Sequence, residues 1–434
     1  MNKAIYCCVI FLVYCNFSFA QQDGGLFSKA NADVTDVIVH DVFSPPVASR
    51  IYLYCGIAAY ETTLRSSGNK KYVSLCKQLN GLESLPAPVG KVNAVIACVS
   101  AFYNTALHYV FSEAALRDSF ERELAKFKTI RKNNPLLFKN SVDYGKLVAD
   151  SIFQWSKSDN YAATRKKRRY SFLKQPGKWI PSPPAYMAAV EPYWGEMRTA
   201  VKGSEKAYAI SSPEIFSIDS ASKFYELAKE VYEAGNNMSP EQNAIAGFWD
   251  CNPFNVQTRG HLMFGIKKLS PGGHWINIAL ISAKKSKADL ITETAAYALT
   301  AIAIYDAFIH CWTEKYTSNL IRPETYINNY IDARWHPLLQ TPPFPEYPSG
   351  HSVVSLAAAT ILTDFFGDDF SFDDDTEVDY GLPVRSFTSF FDAANEAAIS
   401  RLYGGIHYKE AIENGKLLGK RTAKYVLQNV KIKR

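Results

Sequence analysis

PSGHSVVSLAAATILTDFF, running from Pro348 to Phe366, sets a proline, a serine and a glycine directly before a strongly helical apolar run. The turn residues therefore sit at a helix N-terminus, where free backbone N–H groups and the positive end of the helix dipole meet an anion. Gly350 lets the backbone approach a bound group closely, Ser349 adds a hydroxyl donor, and His351 stands at the edge of the cradle. Gly367, after Asp364-Phe365-Phe366, is a helix stop.

Two further stretches flank this one: KYTSNLIRP (Lys315 to Pro323) and SRLYGGIH (Ser400 to His407). Together the three hold three cations, Lys315, Arg322 and Arg401, and two histidines, His351 and His407. Guanidinium presents two parallel donors to neighbouring oxygens and ammonium acts as a point charge, so the set suits a multiply charged oxyanion. The glycine pair Gly404-Gly405 can end one helix and turn the chain before His407. Taken singly, His40, His108, His261, His274 and His336 read as surface or satisfied core groups. The ordered combination is what points to phosphate-type chemistry.

The rest of the chain supplies a frame of helices. Val92 to Phe127, Ser220 to Ala234 and Asp289 to Trp312 carry apolar residues at three- and four-residue intervals, and sustained alternation is scarce, so the expected fold is all-α. Ser239-Pro240-Glu241-Gln242 is a helix start with a capping box. Between about Lys174 and Trp194 prolines break the pattern into a long irregular loop, of a length that is often functional. With 434 residues, 47% hydrophobic, the chain can bury a large core. Residues 1–20 read as a secretory signal cleaved near Ala20, which disposes of Cys7, Cys8 and Cys15 and implies export to the periplasm or beyond; a lipid anchor on Cys15 is disfavoured by Tyr14 before it. Residues 21–285 then form an N-terminal helical region and 286–434 the catalytic helical domain.

Without Lys3 the net charge is +5, from 47 Lys plus Arg against 42 Asp plus Glu, too little to suggest a nucleic-acid partner. Past the leader no apolar stretch reaches the roughly 18 residues of a membrane span, and Ala295 to Tyr305 reads as a buried core helix. The remaining thiols, Cys55, Cys76, Cys98, Cys251 and Cys311, are odd in number and lack CxxC spacing. Export permits one or two disulfides among them, and a cysteine metal site is not expected. Arg165 to Arg169 reads as a solvated basic turn. The acidic run Asp373-Asp374-Asp375, with Glu377 and Asp379, could hold calcium but lacks the glycine and terminal glutamate of a known loop, so a solvated acidic connection is expected.

Lysine, six residues, Arg-Pro; PSGH; Ser-Arg, five residues, His: this pattern resembles the superfamily of type 2 phosphatidic acid phosphatases and vanadium-dependent haloperoxidases. The resemblance covers about Asp289 to Val430, and the earlier part is similar to the helical extension of the haloperoxidase branch. It implies a helical-bundle core in which His407 bonds the oxyanion's central atom, vanadium if vanadate is bound. His351 serves as general acid and base, and Lys315, Arg322, Ser349, Gly350 and Arg401 bind the equatorial oxygens. Lys315 further polarises a bound peroxide. Two reactions follow. With vanadate as prosthetic group, hydrogen peroxide and a halide give hypohalous acid; without it, a phosphomonoester is hydrolysed through a phosphohistidine. A third reading is a non-catalytic oxyanion binder. Trp312 and Phe344, placed as in chloroperoxidase members, are candidate pocket walls and tilt the expectation toward the peroxidase. The family's aspartate four residues after the second histidine is Ala411 here, with Glu410 one position early. A different partner for His407 is therefore expected, with Asp306 or a backbone carbonyl as candidates. A homodimer would suit the apolar helical surface.

Overall fold

The computed structural model describes residues 25–434 except 208 and 260; the expected leader and its cleavage point lie outside the described residues. Fifteen α-helices dominate the described residues. At the centre runs Leu290–Ser318, started by Asp289, whose carboxylate accepts the Thr292 N–H at 3.0 Å. Its 29 residues are apolar on nearly every side, long and hydrophobic enough to cross a membrane, but its apolar window is 100% buried inside the protein. Each large side chain there, such as Ile302, Ile304 and Phe308, stabilises the fold by roughly 1.5–3 kcal/mol through burial.

Four helices surround this one: Pro45–Ser67, Pro271–Lys285, Gly350–Phe366 and Lys409–Asn429. The first three start with a serine cap, and Ser44 and Ser270 are each followed by a proline, whose missing N–H costs nothing in a first turn. Close approach is set by small residues. A methyl at Gly419 would fall into the Val353 peptide, and one at Gly415 would lie 2.9 Å from the Ser349 carbonyl oxygen. The last helix is therefore pressed against the first turns of Gly350–Phe366, the segment that begins with the glycine and histidine of PSGH. One continuous core extends from Phe27 to Ile432 and joins both halves of the chain.

The expected helical stretch from Val92 to Phe127 is two helices, Ala94–Leu107 and Glu113–Ala125. The start at Ser239 is a full capping box, and Gly367, at φ 108°, ends its helix. Two small antiparallel hairpins, Asn255–Arg259 with Leu262–Ile266 and Phe372–Asp374 with Arg385–Phe387, have no counterpart in the sequence reading. The proline-rich loop docks on the core: Trp179 donates to the Asn319 carbonyl at 2.9 Å and Val190 to that of Pro343 at 3.0 Å. Of the basic run, Arg165 pairs with Glu191 and Lys167 with Glu196, so the turn is anchored to that loop rather than simply solvated. All five described cysteines are free thiols, so the permitted disulfides do not form.

Candidate functional site

Three helix ends bring the charged residues together. Lys315 lies in the last turn of Leu290–Ser318, which ends at Asn319 in the left-handed conformation. Three residues on, Arg322 caps the helix Pro323–Tyr330. Arg401 is in the last turn of Phe390–Tyr403, and Gly405, at φ 76°, turns the chain so that His407 points back toward Arg322. The PSGH turn closes the ring, with the Ser349 hydroxyl accepting the Ser352 N–H at 3.4 Å and the Ser349 N–H donating to Ala411 at 3.0 Å.

The three cations are almost wholly buried and held mainly by carbonyl oxygens. Lys315 Nζ donates to Pro345, Glu346 and Pro348 at 2.9, 3.0 and 2.6 Å. Arg322 donates to the carbonyls of Phe344 and Ile406, both at 2.9 Å, and Arg401 to that of Trp249 at 2.7 Å. The Phe344 ring lies between two of them, 5.1 Å from Lys315 Nζ and 5.0 Å from the Arg322 guanidinium carbon. Carbonyl dipoles do not fully offset the loss of hydration. Burial pushes Lys315 down to about 7 and Arg322 down to about 10. An anion placed among them would offset that cost.

His407 has a defined tautomer. Arg322 Nη1 stands 3.2 Å from His407 Nε2, and guanidinium can only donate, so Nε2 accepts. The ring proton is then on Nδ1, which donates to Glu346 Oε1 at 2.8 Å; the same oxygen accepts the Tyr408 N–H at 2.9 Å. Burial pushes Glu346 up to about 7, while burial and the neighbouring cations hold His407 well below the usual histidine range. A neutral imidazole with its Nε2 lone pair facing the cations is the consequence. The residue that orients His407 is thus Glu346. Asp306 instead accepts N–H groups of Ala200 and Val201 at 2.6 and 3.2 Å, and Glu410 accepts that of Glu214 at 2.9 Å, so neither these nor a backbone carbonyl fills the role. At position 411 it is the backbone that matters, through the carbonyl that holds Ser349.

The Trp249 backbone favours the protonated form of His351, whose Nε2 is buried with no partner. Burial and the nearby Arg401 lower its basicity well below the ordinary value. Arg322 Nη2 is also buried and unpartnered. A Cβ on Gly350 would meet only Trp312, at 3.7 Å, so no neighbouring protein atom requires glycine there. Two orphaned groups, an open glycine and a His407 Nε2 that carries no proton fit an oxyanion such as vanadate.

The cleft onto which His351, Arg401, His407 and Gly350 open is lined by Trp312, Phe344, Phe308, Pro342 and, from earlier in the chain, Pro45 and Phe254. Trp312 and Phe344 pack at 5.0 Å, and each belongs to both the core and the cleft wall. Trp312 Nε1 donates to Val190 at 3.2 Å, which ties the proline-rich loop to that wall. The sequence reading missed Glu346 and the Trp249 carbonyl. Glu346 carried a signal: a lone acidic residue in the proline and aromatic run PPFPEYP can only be buried there with a partner. The carbonyl carried none.

A family model described as the VCPO second helical-bundle domain matches residues 295–433. The crystal structure of the first bacterial vanadium-dependent iodoperoxidase is similar at 45% identity and a TM-score of 0.88, covering 95% of this chain and 97% of that one. A holo-type bacterial vanadium-dependent chloroperoxidase is similar in fold, with TM-score 0.66 and 15% identity over 90% of this chain and 94% of that one. The apo-type chloroperoxidase structure gives 0.65 and 17% over 89% and 95%. No curated protein matches the chain.

Proposed function

This chain belongs to the vanadium-dependent haloperoxidase branch of the superfamily that includes the type 2 phosphatidic acid phosphatases, and from that premise we propose that its cradle holds vanadate on His407 and oxidises iodide with hydrogen peroxide. The observation that carries the proposal is the His407 ring, with Nδ1–H fixed on Glu346 and Nε2 facing buried cations. The 45% identity to an iodoperoxidase supports iodide as the halide.

His407 would hold the vanadium, and Lys315, Arg322, Arg401, Ser349 and the Gly350 amide would hold the oxygens. When bound, vanadate supplies a Lewis-acid centre that accepts five ligands and activates peroxide toward a halide. The protein's own contribution is charge and proton handling. His351, neutral and with a free Nε2, can take a proton from an incoming peroxide and return it to departing water. Lys315 supplies positive charge beside the reacting oxygens, and the walls of Trp312 and Phe344 keep bulk water away. The leader expected over residues 1–20 supports action outside the cytoplasm, where a mature N-terminus at Gln21 is the check.

Iodide, bromide and chloride oxidation by hydrogen peroxide should be assayed with and without added vanadate, and p-nitrophenyl phosphate hydrolysis measured on the same sample. Vanadate-dependent iodide oxidation, absent in His407→Ala, is expected. Hydrolysis that vanadate inhibits, with no halide oxidised, would overturn the proposal in favour of the phosphatase reaction.

A further inference from the structure

Behind the Trp249 carbonyl lies a second group of chemically capable side chains that the oxyanion reading does not use. Cys251 follows the helix Pro240–Phe248, His274 sits in the first turn of Pro271–Lys285, Asp374 ends the first strand of the second hairpin and Glu377 lies in the connection that follows it. The acidic run that includes both was expected to be a solvated connection, yet Asp374 is 0% and Glu377 5% exposed. Cys251 Sγ is 3.5 Å from His274 Nδ1 and 3.8 Å from Glu377 Oε1, and Nδ1 is 3.1 Å from that same oxygen.

These separations have a specific meaning. Zinc–sulfur, zinc–nitrogen and zinc–oxygen bond lengths at a tetrahedral angle put sulfur about 3.6 Å from either lighter donor and nitrogen about 3.4 Å from oxygen. The three atoms already stand close to that triangle. The far ring nitrogen of His274, Nε2, lies 2.7 Å from Asp374 Oδ2, and Asp374 Oδ1 is fixed by the Thr376 N–H at 3.1 Å. A carboxylate on the outer nitrogen is the arrangement that presents the inner one, unprotonated, to a metal. Trp249 stacks on the imidazole at 4.6 Å and limits its rotation.

We propose that Cys251, His274 and Glu377 are the ligands of a divalent, thiophilic cation of the zinc type, with Asp374 as the residue that orients His274. Three protein ligands leave the fourth position to a small molecule entering by the cleft that Cys251 also lines. The cation would brace residues 249–251, whose Trp249 carbonyl accepts Arg401 at 2.7 Å. Its role is structural support for the oxyanion site rather than a step in the reaction.

The test uses the full chain, reduced, stripped with a chelator and free of vanadate, titrated with Co²⁺. A thiolate-to-cobalt charge-transfer band that saturates at one equivalent, is displaced by Zn²⁺ and is absent in Cys251→Ser is expected. Asp374→Asn should weaken cobalt binding roughly 10- to 100-fold while keeping the band. Glu377→Gln, which preserves volume, serves as the second ligand variant should Cys251→Ser fail to fold, and it should weaken binding likewise. No band in folded wild-type protein at millimolar Co²⁺ overturns the proposal, leaving a hydrogen-bonded thiol, imidazole and carboxylate group. A band that survives Cys251→Ser and disappears in Cys76→Ser overturns it as well.

Discussion

Replacing Glu346 by glutamine changes one atom in the orienting group and tests what holds His407. The glutamine carbonyl can still accept the Tyr408 N–H and the His407 Nδ1–H, now at 2.9 and 2.8 Å, but without negative charge. A hydrogen bond to a charged acceptor contributes about 1.5–3 kcal/mol and a neutral one about 0.5–1.5, so the variant loses roughly 1–1.5 kcal/mol of support for the ring. That corresponds to about a 5- to 12-fold loss of affinity for any ligand bonded through Nε2. A second effect opposes it, because removing an anion near three cations favours every bound oxyanion. Sulfate separates the two. It senses the cradle's charge but forms no bond to the ring, whereas vanadate does both. Calorimetric titration with each anion, at a pH a unit or so above the value of about 7 to which Glu346 is raised, gives the ratio of the two dissociation constants. That ratio should move against vanadate by about 5- to 12-fold in Glu346→Gln. A ratio unchanged within about twofold would refute the assignment of Glu346 as the partner that matters.

Other consequences follow from the same geometry. Lys315, lowered to about 7 by burial, favours a fixed-charge anion such as sulfate when protonated, and Glu346, raised to about 7, opposes it when ionised, so sulfate affinity should be constant below that value and fall by about tenfold per pH unit or more above it; Lys315→Met should make that dependence shallower, and adding Glu346→Gln should remove the rest. Gly419→Ala would force a methyl into the Val353 peptide, and chemical denaturation should show a loss of about 3 kcal/mol or more. Ser349→Ala removes the cap of Gly350–Phe366 and should lower stability by about 1 kcal/mol, with weaker vanadate binding as the separate sign of a role in the cradle.

Much of this molecule was legible in its sequence because local chemistry dictated it. The capping box at Ser239, the stop at Gly367 and the long apolar run within Leu290–Ser318 are properties of adjacent residues, and the helices follow. The ordered motifs likewise announce a site, since their combination, rather than any one cation or histidine, is what an oxyanion cradle requires. What could not be read depends on partners distant in the chain. Glu346 was visible as a residue but not as the partner of His407, 61 positions away, because the resemblance drew attention to the position of Ala411 and from there to Asp306 or a backbone carbonyl. The acidic run looked solvated because its charges are dense, and only its packing against Pro271–Lys285 buries Asp374. The hairpins were missed because each is short, and pairing rather than propensity creates them.

The carbonyl of Trp249 gives the domain question a concrete form. A fragment trimmed to 295–433, the span of the matching family model, would retain Lys315, Arg322, His351, Arg401 and His407. It would nonetheless forfeit the carbonyl oxygen on which the Arg401 guanidinium is aligned. Such a fragment would carry all the reagents and lack the jig that sets their spacing, so graft designs based on this enzyme must import the 249–254 loop along with the motifs.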